Sequence, residues 1–113
     1  MEIQANLPLR EATFMVLLSL APGPRHGYAI MKDTEILSEG RVKLSTGTLY
    51  GAIKRLLDRE WIRRVNISVE VGNTRIRKEY ELTDLGRRIF DAEVARLESL
   101  VTVARDSAAG ALA

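Results

Sequence analysis

The chain contains no cysteine and only one histidine, His26, among its 113 residues. Neither a disulfide nor a thiolate metal site can form, and nothing in the composition asks for an oxidising compartment. A cytoplasmic location is expected. Long apolar runs are missing as well: the longest strongly apolar stretch, residues 14–18, falls far short of the roughly 20 residues that a membrane span needs. Met1 is followed by Glu2 and not by the basic start of a signal peptide, so no targeting segment is read. The sequence also lacks a Gly-rich phosphate loop, zinc-ligand spacing and a serine nucleophile elbow. His26 beside Gly27 reads as a helix cap. The carboxylates of segments 79–84 and 91–98 are explained by strand alternation and helix solvation. No catalytic residue, metal or cofactor is expected.

Apolar residues at 46% and charged residues at 28% describe an ordinary folding chain, of a length that suits one hydrophobic core. The net charge of +2 says little, but its placement says more. From Arg41 to Lys78, ten basic residues stand against three acidic ones, and the flanks are net acidic. A basic middle between acidic ends reads either as the electrostatic footprint of a protein that neutralises phosphates and releases their counterions or as a solvated, mixed-charge surface.

Residues 9–20, apolar with few polar breaks, predict a short buried first helix that Ala21-Pro22-Gly23-Pro24 stops. A second helix runs from His26-Gly27 to about Ser38, with Ile30 and Leu37 on its inner side. Ser45 is placed to cap a third helix reaching about Arg59. On that helix Leu49, Ile53 and Leu56 form a core stripe, flanked by Ala52 and Leu57. The opposite side carries Gly47, Tyr50, Gly51, Lys54, Arg55 and Asp58. Two glycines on an exposed helix face cost roughly 1 kcal/mol each relative to alanine. They either admit another surface close to the backbone or merely ease the helix start. With the first-turn N–H groups they would make a phosphate seat.

From Trp61 the period changes to two. Val65, Ile67, Val69 and Val71 alternate with polar residues, Gly72-Asn73 turns the chain, and Ile76, Lys78, Tyr80 and Leu82 alternate on the way back. A basic hairpin is predicted, with Arg75, Arg77 and Lys78 near its tip. Residues 41–44 offer a third strand. Thr83 opens a final helix of more than twenty residues, on which Phe90, Val94, Leu97, Val101 and Ala104 recur in steps of four and three. That stripe needs a partner, either a second copy of the same helix or the chain's own first helix.

The predicted fold class is therefore mainly α with a small antiparallel β-hairpin: a winged helix-turn-helix over residues 1–82, and a long C-terminal dimerisation helix with a short tail over residues 83–113. Four segments carry a resemblance. They are Leu7-Pro8-Leu9-Arg10-Glu11-Ala12, Pro24-Arg25-His26-Gly27-Tyr28-Ala29-Ile30, the run from Leu44 to Leu56, and Tyr80-Glu81-Leu82-Thr83-Asp84-Leu85-Gly86. In order and spacing they resemble the PadR family of bacterial transcriptional regulators, in its short form with a single C-terminal helix. The chain departs from the family pattern at Glu60 and Trp61, where a glycine and a smaller apolar residue are common.

The resemblance implies a transcriptional repressor that binds an inverted repeat of double-stranded DNA as a homodimer, with the third helix in the major groove and the wing on the backbone. Carried onto this sequence, it implies DNA contacts at Ser45, Thr46, Gly47, Thr48, Tyr50, Lys54 and Arg55, with wing contacts from Arg75 and Arg77. Pairing would run through Phe90, Val94, Leu97, Val101 and Ala104. It also implies release by a small aromatic or cationic effector near the dimer interface, where Trp61 and Phe90 are candidates, although Trp61 reads more simply as core. A winged helix that binds a different protein through the Phe90–Ala104 stripe is the competing reading, and it leaves the basic third helix and wing without a role.

Overall fold

In the computed structural model, which describes residues 3–69 and 76–109, a 3-10 turn at Gln4–Asn6 precedes α1, Glu11–Leu20. The order continues with β1 (Arg25–His26), α2 (Gly27–Leu37), α3 (Thr46–Asp58), β2 (Ile62–Val69), β3 (Ile76–Leu82) and α4 (Asp84–Ala109). The expected hairpin turn at Gly72 and Asn73, together with Val71 and Arg75, lies outside the described residues.

Each helix after α1 starts on a side chain that accepts a free backbone N–H. His26 Nδ1 takes the N–H of Ala29 at 3.3 Å, Ser45 Oγ that of Thr48 at 3.2 Å, and Thr83 Oγ1 that of Gly86 at 3.0 Å. Such caps satisfy donors that the helix itself cannot reach. Met15, Val16, Leu17 and Leu20 of α1 are buried, with Ile30 of α2 and Leu49, Ile53 and Leu56 of α3. Burying each of these large side chains contributes roughly 1.5–3 kcal/mol. Trp61, Ile62, Tyr80, Ile89 and Phe90 complete the same core.

Two expectations fail here. Leu37, expected inside with Ile30, is 46% exposed. At the end of α2 the chain turns through Glu39 (φ 54°) and Gly40 (φ 83°), and Ser38 and Val42 are the residues buried there. The third strand is not residues 41–44. The N–H of Arg41 goes to the Ser38 carbonyl (3.1 Å) and that of Val42 to Ser38 Oγ (2.8 Å), so these ladder groups are used locally. The third strand is β1, which pairs antiparallel with β3 through Arg25–Tyr80 and His26–Glu79. The sheet order is β1-β3-β2. Between Arg64 and Ile67 the β2–β3 register shifts by one residue, a bulge that breaks strict alternation and bends the strand.

The start of α4 is fitted to the α3–β2 corner. Thr83 donates its N–H to the Trp61 carbonyl (3.0 Å) and its hydroxyl to the Glu60 carbonyl (2.6 Å). Gly86 faces the Trp61 backbone so closely that any Cβ would collide with the Trp61 carbonyl oxygen. Glu60 itself turns the corner with φ at 62°, the left-handed region that favours glycine.

Helix α4 has 26 residues and so runs about 39 Å. Its first half packs on the rest of the chain: Ile89 is buried, and Phe90 stacks on Phe14 with ring centroids 5.3 Å apart. Phe90, expected on the intersubunit stripe, thus belongs to the chain's own core, and Val94 packs against it. Leu97, Leu100, Val101 and Val103 are exposed, as is Ala104. The helix overhangs the body, and the molecule measures 68 × 33 × 22 Å.

Candidate nucleic-acid interface

The surface of interest is built on the uncovered side of α3. Its inner stripe is fixed by burial, so the residues half a turn away must face outward. Thr46, Gly47, Thr48, Tyr50, Lys54 and Arg55 are all exposed there. At the helix start Ser45 Oγ is occupied twice, accepting the Thr48 N–H and donating to Thr48 Oγ1 at 2.9 Å. Ser45, among the DNA contacts that the resemblance implies, thus serves as the cap of this helix. What this end offers an anion is the first-turn N–H groups of Thr46 and Gly47 and the positive end of the helix dipole.

No atom lies within 4 Å of where a Cβ of Gly47 would stand, and only the flexible Arg55 Nη1, at 3.7 Å, approaches that of Gly51. Neither glycine makes room for anything inside the molecule. Together they leave a shallow strip of backbone open along the exposed face.

Tyr50, 49% exposed, leans across to α2, where its hydroxyl would lie 2.6 Å from a Cβ on Gly27. That glycine admits the ring, and the ring in turn ties the starts of α2 and α3 together. Lys54 Nζ is 3.3 Å from Asp58 Oδ2 one turn on, an exposed pair of the kind worth only a few tenths of a kcal/mol, so the ammonium is readily exchanged to another anion. Between α3 and the sheet a depression of about 410 Å³ is lined by Tyr50, Ile53, Lys54, Leu57, Asp58, Arg64 and Tyr80.

The sheet extends the basic surface. Arg63 holds Glu81 across the β2–β3 pair at 2.6 Å, while Arg64 and Lys78 are exposed. Arg77 lies on β3 opposite Ser68, and Arg75 lies outside the described residues. Arg64 joins this surface although sequence reading named it only within the basic middle of the chain and as a polar member of an alternating strand; its signal was that it directly follows Arg63 on β2. Among the described residues no group of three or more His, Cys, Asp or Glu side chains is placed to hold a metal ion, and no helix is long and apolar enough to cross a membrane.

Comparison with known proteins bears on the family and on the fold. Residues 16–92 match the family model described as the transcriptional regulator PadR-like family. Over 94 residues the chain is 38% identical to an uncharacterised 37.1 kDa protein of a Streptomyces fradiae transposon, covering 80% of this chain. The chain spans about a quarter of that relative's length, 25%.

Among solved structures, a PadR family transcription regulator from Clostridium difficile superposes with a TM-score of 0.71 at 23% identity, covering 86% of this chain and 97% of that one. A transcriptional regulator from Clostridium thermocellum gives 0.67 at 22% identity over 93% and 92% of the two chains. Bacillus subtilis PadR in complex with operator DNA gives 0.66 at 22% identity over 77% and 48%. At these identities the likeness is one of fold, the winged helix.

Proposed function

The chain belongs to the PadR-like family of transcriptional regulators, and from that premise we propose that it is a repressor that binds an inverted-repeat operator as a homodimer. The observation that carries this reading is the open face of α3, where Gly47 and Gly51 leave the backbone bare beside exposed Thr46, Thr48, Tyr50, Lys54 and Arg55. A helix that lays its backbone against the edges of base pairs needs that bareness, whereas a solvated helix loses stability by it.

Two α3 helices of a dimer enter successive major grooves about 34 Å apart. The N–H groups of Thr46 and Gly47, with the Thr46 and Thr48 hydroxyls, hold backbone phosphates. Tyr50, Lys54 and Arg55 reach phosphates or base edges, and Arg75 and Arg77 bring the wing to the neighbouring backbone. Residues 1–82 act as the DNA-reading unit and residues 83–113 as the pairing unit, with Leu97, Val101 and Ala104 meeting their counterparts and Phe90 and Val94 supporting them from within. Repression follows from occupying the promoter in the cytoplasm.

A small aromatic or cationic effector finds a suitable place in the apolar depression of about 380 Å³ lined by Phe14, Val94, Leu97, Glu98, Val101 and Thr102. Glu98 supplies a carboxylate for a cation. Trp61, buried in the core, does not reach that depression.

The test is a fluorescence-anisotropy titration against the duplex upstream of the protein's own coding sequence and against a scrambled duplex, at two salt concentrations. Salt-sensitive binding that prefers the upstream duplex is expected. Equal and negligible binding to both, by folded protein, would count against a self-regulating repressor.

A further inference from the structure

On the flank of α3 turned away from the sheet, Arg55 and Arg59 stand one helical turn apart, next to the start of α1. With Arg10, Asn6 and Thr13 they line a polar depression of about 480 Å³ whose lining contains no carboxylate. Three arginines border one hollow with no counter-charge in its lining, an arrangement that favours an anion. The surrounding structure does not neutralise them. Glu11, next in sequence to Arg10, pairs with Arg41 at 2.8 Å, and Asp58, next to Arg59, pairs with Lys54 and not with Arg59. Among the described residues no ion pair joins Arg10, Arg55 or Arg59 to a carboxylate.

The side chain of Arg59 and the main chain beside Arg10 are nonetheless held in position. Arg59 lies over the Trp61 ring, 5.2 Å from its centroid. Arg10 follows Leu9, whose N–H is pinned by the buried Glu93 of α4 at 2.8 Å.

We propose that Arg10, Arg55 and Arg59 form a phosphate-binding pocket, which takes a backbone phosphodiester of bound DNA on the side of α3 opposite the wing. Planar guanidinium groups suit the paired oxygens of a phosphate, and a shallow hollow of this size admits such a group without a base. This assignment of the occupant rests on the DNA-binding reading above, and it gives the protein a hold on the backbone at both flanks of α3.

The same oxyanion chemistry would serve a free phosphorylated compound, and the experiment separates the two sources. The full chain is compared with Arg10→Gln and with Arg10→Gln/Arg59→Gln. The single variant guards against a loss of folding when the Arg59–Trp61 contact is removed. Pyrophosphate is titrated without DNA and followed by amide chemical shifts, and duplex binding is measured across a salt series.

Both variants are expected to weaken pyrophosphate binding by about tenfold or more. They are also expected to weaken binding to upstream and scrambled duplexes alike, with the slope of log affinity on log salt smaller by about 1 for each arginine removed. Arg10→Lys, which keeps the charge, should restore the slope. Lost pyrophosphate binding with an unchanged slope keeps the pocket but assigns it to a free phosphorylated compound. If the wild-type chain binds pyrophosphate here and no DNA, the DNA-binding reading falls and the pocket stands. Unchanged pyrophosphate binding together with an unchanged slope in both variants overturns the proposal.

Discussion

The backbone N–H of Leu9 is donated to the carboxylate of Glu93, 2.8 Å away and 84 positions later in the chain. Arg96 Nε meets the other oxygen of the same carboxylate at 2.5 Å, and Glu93 is 1% exposed. The Arg96 hydrogen bond, helped by the Leu9 N–H, holds the Glu93 carboxyl below its ordinary value against the opposing pull of burial. A carboxylate so stabilised ties the N-terminal segment to the middle of α4.

Replacing it should be costly. Glu93→Gln is expected to lower the unfolding free energy by about 2 kcal/mol, the order for a hydrogen bond to a charged group. Because the folded pKa lies below the unfolded one, the stabilisation is present above the ordinary carboxylate value of 4.5 and is lost as pH falls through the lower folded value. Urea unfolding as a function of pH checks both points: the variant's stability should be flatter than wild type in that acid window, and parallel curves would remove Glu93 from the account.

Gly86 and the Trp61 carbonyl define how closely α4 can start against the α3–β2 corner. A Cβ there meets backbone and not a yielding side chain, so Gly86→Ala must push α4 outward. A loss of about 2 kcal/mol or more is expected, in the upper range of overpacking effects. A urea midpoint within error of wild type would show that α4 docks with more slack than this geometry allows.

At Gly51 the sign reverses. A methyl group has room, and alanine is the better helix former by about 1 kcal/mol, so Gly51→Ala should raise stability by that order. It should also weaken operator binding several-fold, because the methyl stands on the face proposed to approach the bases. A variant that is more stable and binds equally well would mean that the bare backbone serves the helix start and not a partner.

The elements that rest on periodicity were legible in the sequence. The Leu49–Ile53–Leu56 stripe and the Ser45 and Thr83 caps are local patterns, and they stand as read. The third strand was not legible, since β1 has two residues and no period, and only pairing with β3 makes it a strand. Periodicity also marked the apolar line from Phe90 to Ala104 without telling what each part meets. Phe14 comes to lie against Phe90 through the crossing of α1 and α4, a relationship that local pattern does not encode. The same holds for Arg10 and Arg59, far apart in sequence, which share a hollow because α1 starts beside the end of α3.

The exposed half of α4 yields a prediction about assembly. With Leu97 37% and Val101 49% exposed on one line, Leu97→Glu/Val101→Glu should shift sedimentation from dimer to monomer while leaving the core intact. Wild type sedimenting as a monomer at all concentrations would remove the pairing role of this face.

On the proposed pairing, the overhang of α4 also makes the order of the protein a matter of mass action. The part of α4 beyond Val94 continues a packed helix past the chain's own core, where helix propensity alone is a weak support. In the proposed homodimer a second copy covers that half, so its amide exchange is expected to slow as concentration rises. A scarce copy of such a regulator would then fill few operators and also leave its last helix more open to proteases.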